Sequence, residues 1–189
     1  MREEVLVDGT VRPFRVSGAG FWQVHPGAAQ VLLDAVLAAT SPAPGERALD
    51  LYCGVGLFAA GLAERVGPTG AVVGVEGEAR AVADARRNLH DLPWVRLQAG
   101  HVDAALGAGL GAADLVVLDP PRTGAGRDVV ERILALRPRV VAYVACDPAA
   151  LARDVRTASE LGYRLAALRA FDLFPMTQHV ECVATLVPA

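Results

Sequence analysis

Cys53, Cys146 and Cys182 are the residues of greatest intrinsic reactivity in this sequence. They are odd in number and far apart, with no CxxC pair and no histidine at metal-ligand spacing, so neither a disulfide framework nor a metal site is indicated. Cys146 stands apart because of its two C-terminal neighbours. In Cys146-Asp147-Pro148, Asp147 suits a helix N-cap and Pro148 the first helical position. A sulfur placed there lies beside the positive end of a helix, which favours the thiolate and would activate a nucleophile, while the Asp147 carboxylate pulls the other way. The plain alternative is a small apolar filler after a buried strand, which is how Cys53 and Cys182 read.

Two further groups carry chemistry. Residues 50–59, Asp50-Leu51-Tyr52-Cys53-Gly54-Val55-Gly56-Leu57-Phe58-Ala59, leave an apolar run, turn on glycines and enter a helical stretch. Gly54, Gly56 and Ala59 satisfy the G-x-G-x-x-G/A pattern of a backbone that approaches a nucleotide, and Glu76 closes the next strand at the distance where an acid binds ribose hydroxyls. Alone, this pattern also admits a nicotinamide-dependent oxidoreductase, or a tight turn with no ligand. Asp119-Pro120-Pro121-Arg122 comes directly after the fourth apolar run. Its prolines lack N–H donors and fix an extended exit, holding the Asp119 carboxylate at the edge of the sheet. An acid-Pro-Pro sequence after the glycine turn and Glu76 favours methyl transfer over hydride transfer.

These residues need a frame that puts them at one edge. From residue 46 onward, short apolar runs alternate with amphipathic stretches, as βα units feeding a parallel sheet do. Strands are expected at 46–52, 70–76, 94–98, 114–118 and 139–145, and helices at 56–66, 78–90, 127–136 and 148–161. Runs 163–171 and 179–187 come next with no helix between them, so they should pair through a loop containing Phe174-Pro175, which makes the last strand antiparallel. Glu181 would then open that strand at the edge where the parallel strands end, near Cys146. His179 and Gln178 share this neighbourhood. Residues 26–40 read as a helix started by Pro26, residues 1–22 as an irregular or short-strand leader, and residues 23–189 as one catalytic domain.

The 189 residues suffice for one α/β core, and although 53% are hydrophobic, charges interrupt every apolar run before it reaches membrane-spanning length. No secretory signal is present after Met1, so a cytoplasmic, non-membrane protein is expected. The formal net charge of −3 gives no general attraction for a phosphate backbone, while leaving room for a local basic patch.

On these residues taken together, the sequence resembles the RNA uracil-5-methyltransferase family. The resemblance runs from about residue 12 to the end. It rests on Phe21-Trp22-Gln23-Val24, Leu49-Asp50-Leu51-Tyr52-Cys53-Gly54-Val55-Gly56, Leu118-Asp119-Pro120-Pro121-Arg122, Tyr143-Val144-Ala145-Cys146-Asp147-Pro148 with Leu151-Ala152-Arg153-Asp154, and Asp172-Leu173-Phe174-Pro175 with His179-Val180-Glu181. It implies a class I methyltransferase, Rossmann-like fold: a seven-stranded, mostly parallel sheet with an antiparallel last strand. It also implies S-adenosylmethionine as cofactor and a uridine of tRNA or ribosomal RNA as substrate. Gln23, Tyr52, Glu76 and Asp119 would line the cofactor and base pocket with Gly54 and Gly56 of the turn, and Asp103 would lie near the adenine. By the same resemblance, Cys146 is the nucleophile and Glu181 the general base. An N-methyltransferase using Asp119-Pro120-Pro121 without a covalent step, and a catalytically silent cofactor-binding module, are the competing readings. The chain departs from the family at His25 and Asp147, where asparagine is common, and at Leu57 and Met176. The N-terminal RNA-binding barrel and longer central region of intact members are missing from these 189 residues.

Overall fold

A computed structural model describes residues 1–18, 20–174, 176–177 and 180–189. The chain opens with a hairpin, β1 (Arg2–Val7) and β2 (Thr10–Arg15), and continues into α1 (Ala28–Thr40). Alternating units come next: β3 (Arg47–Leu51), α2 (Leu57–Val66), β4 (Ala71–Glu76), α3 (Ala79–Asn88), β5 (Val95–Ala99), α4 (Val102–Ala108), β6 (Leu115–Leu118), α5 (Arg127–Ala135), β7 (Val140–Ala145) and α6 (Pro148–Glu160). β8 (Tyr163–Phe171) and β9 (Glu181–Pro188) close the chain. The seven strands from β3 onward form one sheet in the order β5-β4-β3-β6-β7-β9-β8. β9 pairs antiparallel with both β7 and β8 and is the one strand running against the others.

Burial on both faces explains why the central strands are unbroken apolar runs. Along β6, Leu115 and Val117 pack toward α1 and α2, while Val116 and Leu118 pack toward α4, α5 and α6. β7 alternates in the same way, with Val140, Ala142 and Val144 on one side and Val141, Tyr143 and Ala145 on the other. The result is a sheet sandwiched between two helical layers.

The expected elements are present with bounds moved by at most two residues. α1 starts at Ala28, because Pro26 and Gly27 lie in the turn before it. α4 is an additional helix that the sequence pattern does not indicate. The leading segment is an ordered hairpin whose Val5, Val7, Phe14 and Val16 are buried in the same core as α1 and α2. The Phe14 and Trp22 rings lie 5.7 Å apart.

Candidate active site

β3 leads the chain to one side of the sheet through β4 and to the other through β6, so its carboxyl end is the point where strand order reverses. Ligand crevices of α/β sheets form there. A cavity of about 620 Å³ opens at this place, lined by Gln23, Tyr52, Gly54, Glu76, Asp119, Arg122, Cys146 and Glu181 among others. The residues gathered by the sequence patterns therefore come from six separate segments to one crevice.

The glycine turn is held by its own side chains. Asp50, buried at the end of β3, accepts a 2.7 Å hydrogen bond from the Ala59 N–H and so caps α2, whose N-cap position is Gly56 and supplies no side chain. Its other oxygen is buried without a partner among the described residues, and burial pushes its carboxyl well above the ordinary range. Gly56 has φ +91°, and a Cβ there would come within 2.7 Å of Leu89 Cδ1. Gly56 thus shapes the turn against α3 and is not among the residues lining the cavity. Gly54, also at positive φ, has open space where a Cβ would be and faces the cavity. Glu76 spans the turn by accepting the N–H of Gly54 at 2.9 Å and that of Glu78 at 2.7 Å. Tyr52 takes the left-handed conformation, φ +62°, which costs a side-chain-bearing residue free energy and turns it into the crevice.

On the opposite wall, β9 sets the geometry. Cys182 is the register partner of Ala145, so the next step along the antiparallel pair brings Glu181 across from Cys146. Glu181 is 4% exposed, and burial raises its carboxyl above the ordinary value. Asp119 is pushed up to about 8 by burial and by the charge of Glu181. Two carboxylates in one crevice resist double ionisation, so the pair tends to retain a proton.

Cys146 is half-buried. Its thiol is raised by burial, then by the charges of Glu181 and Asp119, while Arg122 and the residue's own backbone N–H lower it. The activation expected from the start of α6 is therefore outweighed. Asp147 fulfils the capping role, accepting the Ala150 N–H at 2.7 Å. His25, the other position where asparagine is common, lies before α1 and accepts the Gly27 N–H through Nδ1 at 3.1 Å, and Leu57 lines the cavity as the first residue of α2. Asp103, in the first turn of α4, is exposed and absent from the cavity lining, and reaches the site only through its charge on Tyr52. Gln178 and His179 lie outside the described residues.

Two residues within the motifs acquire a role only from the structure. Arg122 is the cation of the crevice. Asp154 is buried under the Asp119-Pro120-Pro121-Arg122 loop, where one of its oxygens accepts the Tyr143 hydroxyl at 2.6 Å, the Ala125 N–H at 2.8 Å and the Gly126 N–H at 3.2 Å. The Asp154 and Tyr143 sequence spacing from the loop carries no local signal for this contact.

The family model for tRNA (uracil-5-)-methyltransferase matches residues 109–188, and that for the methyltransferase small domain matches residues 23–141. The chain belongs to the RNA uracil-5-methyltransferase family. An RNA methyltransferase of Streptomyces avermitilis is 57% identical over 179 residues, covering 94% of this chain and 41% of the relative. One of Bifidobacterium longum is 42% identical over 193 residues, covering 97% of this chain and 44% of the relative. The chain thus spans about two fifths of these relatives. The Pyrococcus abyssi tRNA (uracil-54, C5)-methyltransferase, solved with S-adenosyl-L-homocysteine, superposes with a TM-score of 0.80 at 32% identity, covering 99% of this chain and 44% of that one. The sheet order, with its reversed β9, is that of the class I methyltransferase fold.

Among the described residues, no cluster of three or more histidine, cysteine or acidic side chains could hold a metal ion, and no helix is long and apolar enough to cross a membrane. The crevice does fit an organic cation. Among the described residues, Glu76, Glu78, Asp119 and Glu181 line it against the guanidinium of Arg122, and apolar Val55, Leu57, Phe58 and Ala81 complete the wall. Such a lining suits S-adenosylmethionine, whose sulfonium and ammonium charges exceed its one carboxylate.

Proposed function

We propose that this chain is the catalytic domain of an S-adenosylmethionine-dependent RNA methyltransferase that methylates carbon 5 of a uridine through a covalent bond to Cys146. The observation that carries this reading is the placement of Cys146 and Glu181 across from one another in a crevice that also holds Asp119 and the glycine turn. When bound, S-adenosylmethionine supplies an electrophilic methyl carbon. Gly54, Glu76 and Tyr52 are the residues that would hold it, Glu76 through lone pairs left over from its two backbone hydrogen bonds.

Carbon 5 of uracil is a weak nucleophile, and the residues on the β7–β9 side answer that weakness. The Cys146 thiolate adds to carbon 6, and the electron pair moves through carbon 5 onto the carbonyl oxygen at carbon 4, which makes carbon 5 nucleophilic toward the methyl group. Once carbon 5 carries both hydrogen and methyl, the Glu181 carboxylate removes the hydrogen as a proton. The pair left behind re-forms the 5,6 double bond and expels the Cys146 thiolate. Neither position is open in a stacked helix, so the base enters unstacked, and a crevice edged by Phe21, Trp22 and Phe174 offers apolar surface to receive it.

RNA containing 5-fluorouridine tests this, because fluorine at carbon 5 cannot leave as a proton and traps the adduct. The wild-type chain with S-adenosylmethionine should form a denaturation-resistant complex that Cys146→Ala abolishes. Persistence of the complex in Cys146→Ala would refute the assignment. Glu181→Gln should still add to the base but release product slowly, so that adducts accumulate on ordinary uridine RNA.

A further inference from the structure

A second concavity, a groove of about 720 Å³, lies between the leading hairpin and α3, away from the crevice. Its lining includes Arg2, Arg12, Arg15, Arg86, Arg87 and His90. In a chain of net charge −3 this is a local reversal of sign. Part of the positive charge is compensated. Arg12 is bound by Glu64, Asp91 and the Asn88 carbonyl, and Arg87 pairs with Asp84 at 2.9 Å.

Arg2, Arg15 and Arg86 are exposed and have no acidic partner among the described residues. Arg86 and Arg87 complement the carboxyl end of α3, which accounts for cations on that helix. It does not account for Arg2 and Arg15, which are direct register partners across the hairpin. Like charges placed directly opposite on a strand pair are unfavourable unless an anion lies between or over them. The walls are also fixed. Asn88, buried, exchanges hydrogen bonds of 2.8 and 3.1 Å with the Arg15 backbone and reaches the Val55 carbonyl at 3.0 Å, and the Ser17 N–H donates to Asp84 at 2.7 Å.

We propose that this groove docks the phosphodiester backbone of the RNA next to the target base. The inference rests on the reading that the substrate is RNA. Both ends of α3 support it, since the helix starts at the crevice wall, with Glu78 and Ala81, and ends at the groove. Its ten residues span roughly 15 Å at the α-helical rise, a distance that RNA flanking a flipped base covers readily. The other wall is equally continuous: β2 carries Arg12 and Arg15, and the chain proceeds from it to the Gly20–Val24 stretch that lines the crevice.

The test measures binding of a uridine-containing RNA stem-loop by fluorescence anisotropy as salt is varied. It compares the wild-type chain with Arg2→Glu/Arg15→Glu/Arg86→Glu and with a charge-matched control, Arg156→Glu/Arg164→Glu/Arg169→Glu, on the far side of the sheet. The groove variant should bind at least tenfold more weakly and lose roughly two to three units from the slope of log affinity against log salt, about 0.7 to 0.9 per phosphate contact. The control should stay within about twofold at matched salt, and S-adenosylmethionine affinity should be equal in all three. Equal losses in groove variant and control, an unchanged affinity in the groove variant, or no RNA binding by the wild type would each overturn the proposal. Groove-dependent binding without the 5-fluorouridine adduct would leave docking standing while the uridine chemistry failed. An adduct formed by a groove variant of unaltered affinity would do the reverse.

Discussion

Charge at Cys146 is set by neighbours of opposite sign, and each can be removed singly. Burial and the carboxylates of Glu181 and Asp119 hold the thiol protonated, and Arg122 opposes them. Alkylation by iodoacetamide tracks the thiolate fraction, so Arg122→Gln should slow labelling of Cys146 severalfold at pH 7.5 and Glu181→Gln should speed it. Mass spectrometry separates this site from buried Cys53 and Cys182, and equal rates in both variants would refute the account. Asp119 gives a second handle. Because its folded-state value, about 8, lies above that of the unfolded chain, the folded state binds the extra proton. Its contribution to stability is complete below the unfolded value and is lost as pH rises through about 8. Melting temperatures of wild type and Asp119→Asn should therefore diverge between pH 5 and 9, the wild type falling relative to the variant. Parallel profiles would show that Asp119 ionises normally.

At the scale of elements, Asp154 on α6 ties β7 to the loop after β6 through three donors to one oxygen. Replacing a charged acceptor by an amide weakens each bond, so Asp154→Asn should cost about 2–3 kcal/mol in urea denaturation and accelerate amide exchange at Ala125 and Gly126. Tyr143→Phe, which removes one donor and leaves the two N–H partners, should cost about 1 kcal/mol. Equal exchange rates at residues 125 and 126 in Asp154→Asn and wild type would refute the latch. Nothing local in the sequence announces it, since Asp154 and Ala125 are 29 positions apart. What was legible is what burial or chain direction writes locally. β6 and β7 are apolar on both faces and read as strands, and the lack of a helical sequence pattern between the last two apolar runs predicted that the final strand is antiparallel. α4 escaped because seven residues give too few turns for a periodic pattern, with Gly107 inside it and Gly109 and Gly111 just after. Glu181 could be placed near Cys146 by strand direction alone. The charge relation among Cys146, Asp119 and Arg122 could not, because it depends on how the loops after β6 and β7 converge.

For the whole molecule, the open question of architecture is how far the leading residues belong to the catalytic core. A division at residue 22 treats them as a leader, yet Phe14 is fully buried and Val5, Val7 and Val16 share one apolar cluster with α1 and α2. Asn88 then joins three parts that are remote in sequence, the hairpin, α3 and the glycine turn, through hydrogen bonds at residues 15 and 55. A hairpin bound this way should unfold with the sheet and not ahead of it. Phe14→Ala removes a buried ring and should cost about 3–5 kcal/mol. Its denaturation should be monitored twice in a Trp94→Phe background, by far-ultraviolet circular dichroism for the sheet and helices, and by fluorescence of Trp22, whose ring stands 5.7 Å from Phe14. A single cooperative unit moves both midpoints together to lower urea. A separate, earlier fluorescence transition, with the circular dichroism midpoint left at its wild-type value, would mean that the hairpin is an appendage. The glycine turn would then have to be held by Asp50 and Glu76 without the support that Asn88 gives from outside.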